Sequence, residues 1–185
     1  MNEIMKLNAY EPDLAVLDAI ITNPSRTAID HTENKVVYRT ELNGNTIFDI
    51  DGQAMLVGKM FKFKNDDAYR VGYIVVRPEA RRKGYATALY VSLVNRLRLT
   101  LVSDDHLTDG SLAVWSAVAK VCHVKSFNQR TGEERSIDTV EQAVDNTLDT
   151  LLVARNESLI PEVTGAPIME QPEKFTHPSN NSLWE

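Results

Sequence analysis

Three kinds of feature are nearly missing from this sequence, and each absence narrows the function. The chain has one cysteine, Cys122, which rules out an internal disulfide and fits a reducing compartment. No apolar run approaches membrane-spanning length, and the first residues lack the basic and apolar regions of a signal peptide. No spacing of His, Cys and acidic residues indicates a metal site. We therefore expect a cytoplasmic protein that has no membrane contact and no metal.

An excess of positive charge is missing as well. The chain carries 20 Lys and Arg against 26 Asp and Glu, which gives a net charge of −6. Such an acidic balance argues against a broad nucleic-acid surface. The 185 residues suffice for one domain with a buried core, and the 43% hydrophobic content is that of an ordinary globular protein.

The stretch from Tyr69 to Leu97 predicts a strand, a basic glycine turn and a helix. Residues 69–76 (YRVGYIVV) form an apolar, β-branched run of strand length, and Pro78 stops it. From Tyr85 the apolar residues recur at helical spacing. Between the strand and the helix lie four cations beside Gly84: Arg77, Arg81, Arg82 and Lys83.

The charge at this junction indicates an anion site. A helix N-terminus carries partial positive charge and normally attracts acidic residues, so a cluster of cations there is unfavourable without a ligand. An anion seated on the free N–H groups of the first helical turn makes the same arrangement favourable. The alternative is a solvated basic loop that happens to precede a helix. The complete context of strand, proline, basic turn and helix favours a phosphate site.

The same residues carry a family resemblance. The pattern V-x-P-x-x-R-x-K-G-x-A, from Val76 to Ala86, resembles the acetyl-coenzyme A signature of the GNAT superfamily of N-acetyltransferases. The resemblance implies an α+β fold, in which an antiparallel meander is followed by a splayed parallel strand pair and the mixed sheet is flanked by helices. It also implies two groups of acetyl-coenzyme A contacts. The pantetheine arm would pair with Ile74, Val75 and Val76, and the diphosphate would lie on Arg81, Arg82, Lys83, Gly84, Tyr85, Ala86 and Thr87.

The segments before this stretch support the same fold independently. Leu14 to Ile21 predicts a helix after an acidic first turn, and residues 26–32 predict a second helical turn or a loop. Residues 35–76 predict four antiparallel strands in sequence, with hairpin turns at Asn43-Gly44 and Asp51-Gly52. Residues 99–102 (LTLV) predict a short strand parallel to the one ending at Val76.

The candidate catalytic residues lie outside this signature. Many GNAT enzymes have a tyrosine acid on the next helix, but the matching position in this sequence is Trp115, and indole cannot supply that proton. We therefore expect Trp115 either in the core, which its helical spacing favours, or in a wall of the acyl pocket. The polar loop after the LTLV strand offers Asp104 as an amine-orienting base and Ser103 as its hydrogen-bonding partner. Roles in turn formation and helix capping fit both residues equally well. The run from Ser103 to Trp115 also resembles acetyltransferase-like proteins of tailed bacteriophages.

The C-terminal third predicts three segments. The first, ending at residue 135, completes an acyl-coenzyme A-binding domain with a strand over residues 121–130. Residues 136–156 predict an amphipathic helix that begins at Ser136 or Asp138. Its apolar stripe packs on its own sheet or forms a homodimer. Residues 157–185 predict an extended Pro-rich tail, in which Trp184 could anchor a partner.

The sequence thus predicts an N-acyltransferase that moves an acetyl or other acyl group from acyl-coenzyme A to an amine. Transfer would be direct, in a ternary complex, and the acceptor would be a small-molecule or protein amine. A second hypothesis is a catalytically weak binding or regulatory protein of phage type, which binds coenzyme A or a protein partner. A third, a toxin acting on charged tRNA, predicts a basic face, which the acidic balance speaks against.

Overall fold

The structure is a computed structural model that describes residues 14–32, 34–144 and 149–156. These residues form one nine-stranded sheet with helices on both faces. The strand order is β1-β2-β3-β4-β5-β6-β9-β7-β8. The expected acidic first turn at residues 11–13 and the expected tail at residues 157–185, with Trp184, lie outside the described residues.

The strands are β1 Thr27–Thr32, β2 Lys35–Leu42, β3 Asn45–Ile50, β4 Ala54–Phe63, β5 Asp66–Val76, β6 Thr100–Val102, β7 His123–Asn128, β8 Glu134–Ser136 and β9 Thr150–Arg155. The helices are α1 Leu14–Ile21, α2 Tyr85–Val91, α3 Asp109–Val118 and α4 Val140–Val144. A 3₁₀ turn, Pro78–Ala80, precedes α2, and a π-helical turn, Ser92–Arg96, continues it. No helix within these ranges has the length and apolar character needed to cross a membrane.

The four strands β2 to β5 form the antiparallel meander that the sequence predicts, and β1 extends it at one edge. Asn43 and Gly44 both have positive φ, as a tight hairpin turn requires. One element differs from the prediction. Residues 27–32, expected to be a helical turn or a loop, pair with β2 as strand β1, where a bulge between Ala28 and Asp30 shifts the register. The pairing with β2 supplies backbone partners that overrode the weak local pattern.

The second half of the sheet begins with the predicted parallel pair, β5 and β6. The helix predicted from about residue 136 to Arg155 was wrong, because among the residues described in that range only Val140–Val144 is helical and residues 150–155 form β9. This strand pairs with both β6 and β7, so it is central and buried on both faces. A short apolar run that is buried throughout cannot be distinguished from a helix by periodicity. Leu151 and Leu152, two residues of the expected apolar stripe, therefore lie inside the sheet.

The two faces of the sheet bury separate cores. On one face, α1 packs Leu17 and Ile20 against β3, β4 and β5. On the other face, α2 and α3 pack against the same strands, and Tyr90 meets Trp115 edge to face at 5.3 Å between ring centroids. Trp115 is 1% exposed, so its expected place in the core is confirmed.

A buried ion pair holds the loop after α1 to the meander. Asp49 is fully buried and accepts two hydrogen bonds from the Arg26 guanidinium, at 2.9 and 2.7 Å. Asp49 also accepts the Gly52 N–H at 3.0 Å, and Arg26 lies 3.4 Å from the centroid of the Tyr38 ring. Both charges are thus compensated, as burial requires.

Removing the carboxylate of this pair should be costly. We expect Asp49→Ala to lower the free energy of unfolding by about 3–5 kcal/mol, because Arg26 then stays largely buried without its partner. Urea unfolding measures this loss. Arg39→Ala is the matched control, since it removes one side of the exposed Arg39–Glu41 pair and should cost less than about 1 kcal/mol. Equal losses for the two variants would contradict the role given to Asp49.

A second ion pair fastens β1 to the π-helical turn. Asp30 accepts hydrogen bonds from Arg96, at 2.7 and 2.9 Å, and from the Ser92 hydroxyl. The Arg96 guanidinium, assisted by the Ser92 hydroxyl, lowers the pKa of Asp30 below its ordinary value of 3.8. The stabilisation by this carboxylate is therefore complete above the unfolded-state pKa and is lost as the pH falls through the folded-state pKa.

Acid titration of stability tests this pair. At pH 7 we expect Asp30→Asn to unfold at lower urea than the wild type, and we expect the difference to shrink as the pH falls below about 4. Midpoints of urea unfolding across this pH range are the measurement. A difference that is constant with pH would show that Asp30 contributes packing rather than charge.

Candidate functional site

The parallel strands β5 and β6 pair over only three residues each. Ala68, Tyr69 and Arg70 lie opposite Thr100, Leu101 and Val102, where β6 ends. Beyond this point β5 continues for six residues, 71–76, which β4 pairs on one side. Within the described ranges no strand pairs with the other side of residues 71–76. We call this side the open edge.

A bulge on β5 marks the start of the open edge. Val71 lies opposite Gly58 and Tyr73 opposite Val57, so Gly72 is the extra residue between them. Because side chains alternate along a strand, one extra residue exchanges the two faces. Tyr69 and Val71 therefore share a core with Ile74 and Val76 beneath α2, whereas Tyr73 and Val75 pack with α1.

The open edge leads into the basic turn. Arg77 is already engaged, since its Nε donates to the Gly52 carbonyl at 2.7 Å and its guanidinium pairs with Asp18 on α1. Arg81, Arg82 and Lys83 are exposed and form no ion pair within the described part of the chain. Among the residues described, three of the four predicted cations therefore have no competing ion pair.

The backbone of the turn presents several free N–H groups. Gly84 has a left-handed φ of 77° and directly precedes α2. The first hydrogen bond of the helix runs from the Ala88 N–H to the Gly84 carbonyl at 2.8 Å. The N–H groups of Tyr85, Ala86 and Thr87 come before it, and among the described residues no acceptor lies within hydrogen-bond distance of them. The helix thus begins with three unsatisfied donors.

The three residues that carry these donors line a cleft between α2 and α3 with a volume of about 350 Å³. Its walls come from the end of β5, the basic turn and the first turn of α2, together with one side of α3. Most of the lining side chains are small. The lining residues are Val76, Ala80, Arg81, Arg82, Gly84, Tyr85, Ala86, Thr87, Ala113, Val114 and Ala117. The free N–H groups and the cations make this cleft suitable for an elongated anion.

The structure brings the predicted cofactor residues together. Ile74, Val75 and Val76 lie on the open edge, and Val76 lies in the cleft wall with most of the predicted turn residues. Lys83 is exposed in the turn but does not line the cleft. The α3 contribution was not predicted. The only sequence feature that could have indicated it is the spacing of Ala113 and Ala117, two small residues that lie four positions apart and so on one face of α3.

The two predicted catalytic residues lie where β6 ends, but they differ in availability. Ser103 is fully buried, and its hydroxyl accepts the Leu152 N–H at 2.9 Å and donates to the Asp104 carbonyl at 3.1 Å. This side chain continues the β6–β9 ladder. Asp104 is partly exposed, and its Oδ1 lies 3.5 Å from Nε of Arg70 and accepts the Asp105 N–H.

Sequence reasoning missed the partners of Asp104. Arg70 on β5 also approaches Asp105, with 2.5 Å between Nη2 and Oδ1, and Gln129 donates to the same carboxylate at 2.8 Å. The result is a partly exposed cluster at the point where the strands separate. No sequence signal joined these residues, because the contacts depend on the pairing of β5 with β6 and on the loop that follows β7.

Two further arrangements of side chains lie near this region. Thr108 caps α3 through its hydroxyl, which accepts the Ser111 N–H at 3.2 Å. Cys122 is buried and His123 exposed, so the adjacent thiol and imidazole do not act as a pair; burial raises the pKa of the thiol. Among the described residues no group of three His, Cys, Asp or Glu side chains could hold a metal ion.

Three comparisons with known proteins found no match. No protein-family model matches the chain, no curated protein is significantly similar to it in sequence, and no solved structure is significantly similar to it in fold.

Proposed function

We propose that this protein is an N-acyltransferase of the GNAT type, which binds acetyl-coenzyme A or a related acyl-coenzyme A and transfers the acyl group to an amine. The observation that carries this proposal is the separation of β5 and β6 beyond Arg70 and Val102. An open strand edge inside a sheet leaves backbone N–H and C=O groups without partners, which is costly unless water or a ligand satisfies them.

Acyl-coenzyme A matches these groups in chemistry and order. Its pantetheine arm carries two amides that can hydrogen-bond to the open edge at Ile74 to Val76 as a strand would. Its diphosphate can accept the free N–H groups of Tyr85, Ala86 and Thr87, beside Arg81 and Arg82. The small residues of the cleft leave room for the arm between these two places.

The arrangement of the sheet is consistent with the family resemblance. An antiparallel meander precedes the parallel pair, and the signature from Val76 to Ala86 occupies the turn between strand and helix. The nine strands are more than the resemblance implies. The additional pairing lies at the β1 edge and beyond β7, away from the open edge.

The chemistry would take place where the open edge meets the β5–β6 pair. The thioester supplies an activated acyl group, and backbone N–H groups of the open edge near Gly72 can polarise its carbonyl. Asp104 lies at the end of β6, where its carboxylate can orient an incoming amine. Ser103 cannot take the same role while its hydroxyl stays within the β6–β9 ladder. Its function is then structural.

A second candidate function is a binding or regulatory protein that holds coenzyme A without turnover. Two observations favour it. Trp115, at the position where many GNAT enzymes have a tyrosine, is buried against Tyr90 and does not line the cleft between α2 and α3. Asp104 is already paired with Arg70. Both candidate functions require coenzyme A in the same cleft, so they differ only in whether the acyl group is transferred to an amine.

Calorimetry with acetyl-coenzyme A tests the cleft. We expect saturable binding to the wild type and about tenfold or weaker binding to Gly84→Ala, because the added Cβ strains the left-handed turn and displaces the N–H groups. Gly44→Ala is a matched control, since Gly44 has a φ of 74° and, like Gly84, has no atom within 4 Å of an added Cβ. Both variants should lose about 1–2 kcal/mol of stability. Only Gly84→Ala should lose affinity for acetyl-coenzyme A.

The charge contribution is measured in the same way. Arg82→Ala should weaken binding about tenfold or more, since a hydrogen bond to a charged group contributes about 1.5–3 kcal/mol. Arg98→Ala removes an exposed cation beyond the other end of the helix and should leave the affinity unchanged. The absence of saturable heat at millimolar acetyl-coenzyme A would exclude both candidate functions.

Transfer separates the two functions. With a panel of small amines, lysine peptides and peptide N-termini, we expect at least one acceptor to release free coenzyme A thiol faster than the enzyme-free reaction. Asp104→Asn should lower kcat for that acceptor by about a hundredfold, if its carboxylate takes up the proton of the amine. Binding without thiol release for any acceptor would support the regulatory protein instead.

A further inference from the structure

Lys35 is a cation at the end of the sheet where the basic turn begins, and the site described so far does not use it. It is the first residue of β2. Two residues later, Val37 lies opposite Ile50 of β3. Ile50 lies opposite Ala54, and Ala54 lies opposite Val76 of β5. Lys35 therefore lies just beyond the end of this row, at the same edge of the sheet as the turn that follows Val76.

The side chain of Lys35 extends to the first residue of α2. Lys35 and Val37 share a face of β2, because side chains alternate along a strand, and Val37 is buried in the core under α2. The Lys35 ammonium lies 5.3 Å from the centroid of the Tyr85 ring, within the ~6 Å at which an aromatic face attracts a cation. Tyr85 lines the cleft. The contact thus holds a positive charge beside the cleft, although Lys35 belongs to a strand that is distant in the sequence.

The residues described do not compensate this charge. Lys35 is partly buried, and within the described ranges no carboxylate forms an ion pair with it. Asp51, in the turn beside β2, instead accepts a backbone N–H of that strand at 2.8 Å. Arg81 and Arg82, which line the same cleft as Tyr85, have no ion pair there either. Cations gathered in this way repel one another unless an anion lies among them.

The order of the strands places Lys35 and the open edge on opposite flanks of α2. This helix packs on β3, β4 and β5. In the sheet β6 lies beyond β5, whereas β2 lies beyond β3. A ligand whose arm follows the open edge of β5, and whose diphosphate lies at the start of α2, therefore continues across the start of the helix toward β2.

Coenzyme A carries a further phosphate on this part of the molecule. The diphosphate is followed by adenosine, and the ribose bears a phosphate on its 3′ hydroxyl. The diphosphate already has its proposed partners within the cleft, whereas Lys35 does not line the cleft. Lys35 therefore suits the phosphate that remains outside. A lysine ammonium is a compact charge with three donors, which binds a phosphate without a fixed mutual geometry.

We propose that Lys35 binds the 3′-phosphate of coenzyme A and makes the protein select coenzyme A over 3′-dephospho-coenzyme A. This assignment rests on the proposed function and names the specificity residue for the end of the ligand that leaves the cleft. Lys83 is the competing cation, since it is exposed in the basic turn and also lies outside the cleft lining. Among the residues described, no aromatic ring holds Lys83 as Tyr85 holds Lys35. Lys83 would therefore lose more side-chain entropy on binding.

Calorimetry with coenzyme A and 3′-dephospho-coenzyme A tests the assignment, because the two compounds differ only in this phosphate. We expect the wild type to bind coenzyme A about tenfold or more tightly, since a hydrogen bond between charged groups is lost with the phosphate. Lys35→Met keeps an unbranched side chain and removes the charge. It should lower the affinity ratio about fivefold or more and change the affinity for the dephospho compound about twofold or less. Lys35→Arg restores a cation and should keep the preference.

Two matched variants separate Lys35 from other lysines. Lys83→Met removes the competing cation and should keep at least about half of the wild-type ratio. Lys59→Met removes an exposed lysine on β4, opposite Arg70, and should leave both affinities unchanged. Thermal unfolding confirms that each variant is folded.

The outcomes distinguish this assignment from the function on which it rests. Equal affinity of the wild type for the two compounds, or a Lys35→Met variant that keeps the wild-type ratio, overturns the role of Lys35 and leaves the proposed function standing. A ratio that is lost only in Lys83→Met assigns the phosphate to the basic turn and overturns it as well. If the wild type binds neither compound, the proposed function is wrong and the assignment falls with it.

Discussion

The backbone of β5 imposes the constraint on which the rest of this structure depends. A strand in the middle of a sheet has two rows of N–H and C=O groups, and each group needs a partner. Over its first half β5 finds both partners, β4 and β6. Over its second half it finds only β4, among the residues described. The cleft, the basic turn and the bulge all lie along the side that is left open.

Beside the open side of β5, the residue that follows β6 bonds to β9. Directly after Val102, the Ser103 N–H donates to the Leu152 carbonyl at 2.8 Å, and the Ser103 hydroxyl accepts the Leu152 N–H at 2.9 Å. One residue thus makes both bonds of a ladder step with β9, using a side chain where a strand would use a carbonyl. The contact between β6 and β9 thus extends one residue further, to Ser103, than the pairing between β6 and β5, which ends at Val102.

Local signals in the sequence were sufficient for the meander and for the strand–turn–helix stretch. Asn43-Gly44 fixed a hairpin, and the proline after residue 76 ended β5. Local signals were insufficient where an element depends on pairing with strands that are distant in the sequence. Residues 150–155 were predicted as part of a helix because their leucines and valine fit the spacing of apolar residues in a helix as well as in a strand. They form a strand because they pair with β6 on one side and with β7 on the other. The contact between Arg70 and Asp104 could not be predicted for the same reason, because the register of β5 and β6 decides which side chains meet.

The bulge at Gly72 gives one strand two opposite orientations. Before it, the odd-numbered residues 69 and 71 face α2; after it, the even-numbered residues 74 and 76 do. Deletion of Gly72 would leave Val71 and Tyr73 consecutive, opposite Gly58 and Val57. The strand would become regular, and its last four residues would keep their places in the two cores. The bulge is therefore the place where β5 accommodates one more residue than its partner without turning its final segment over.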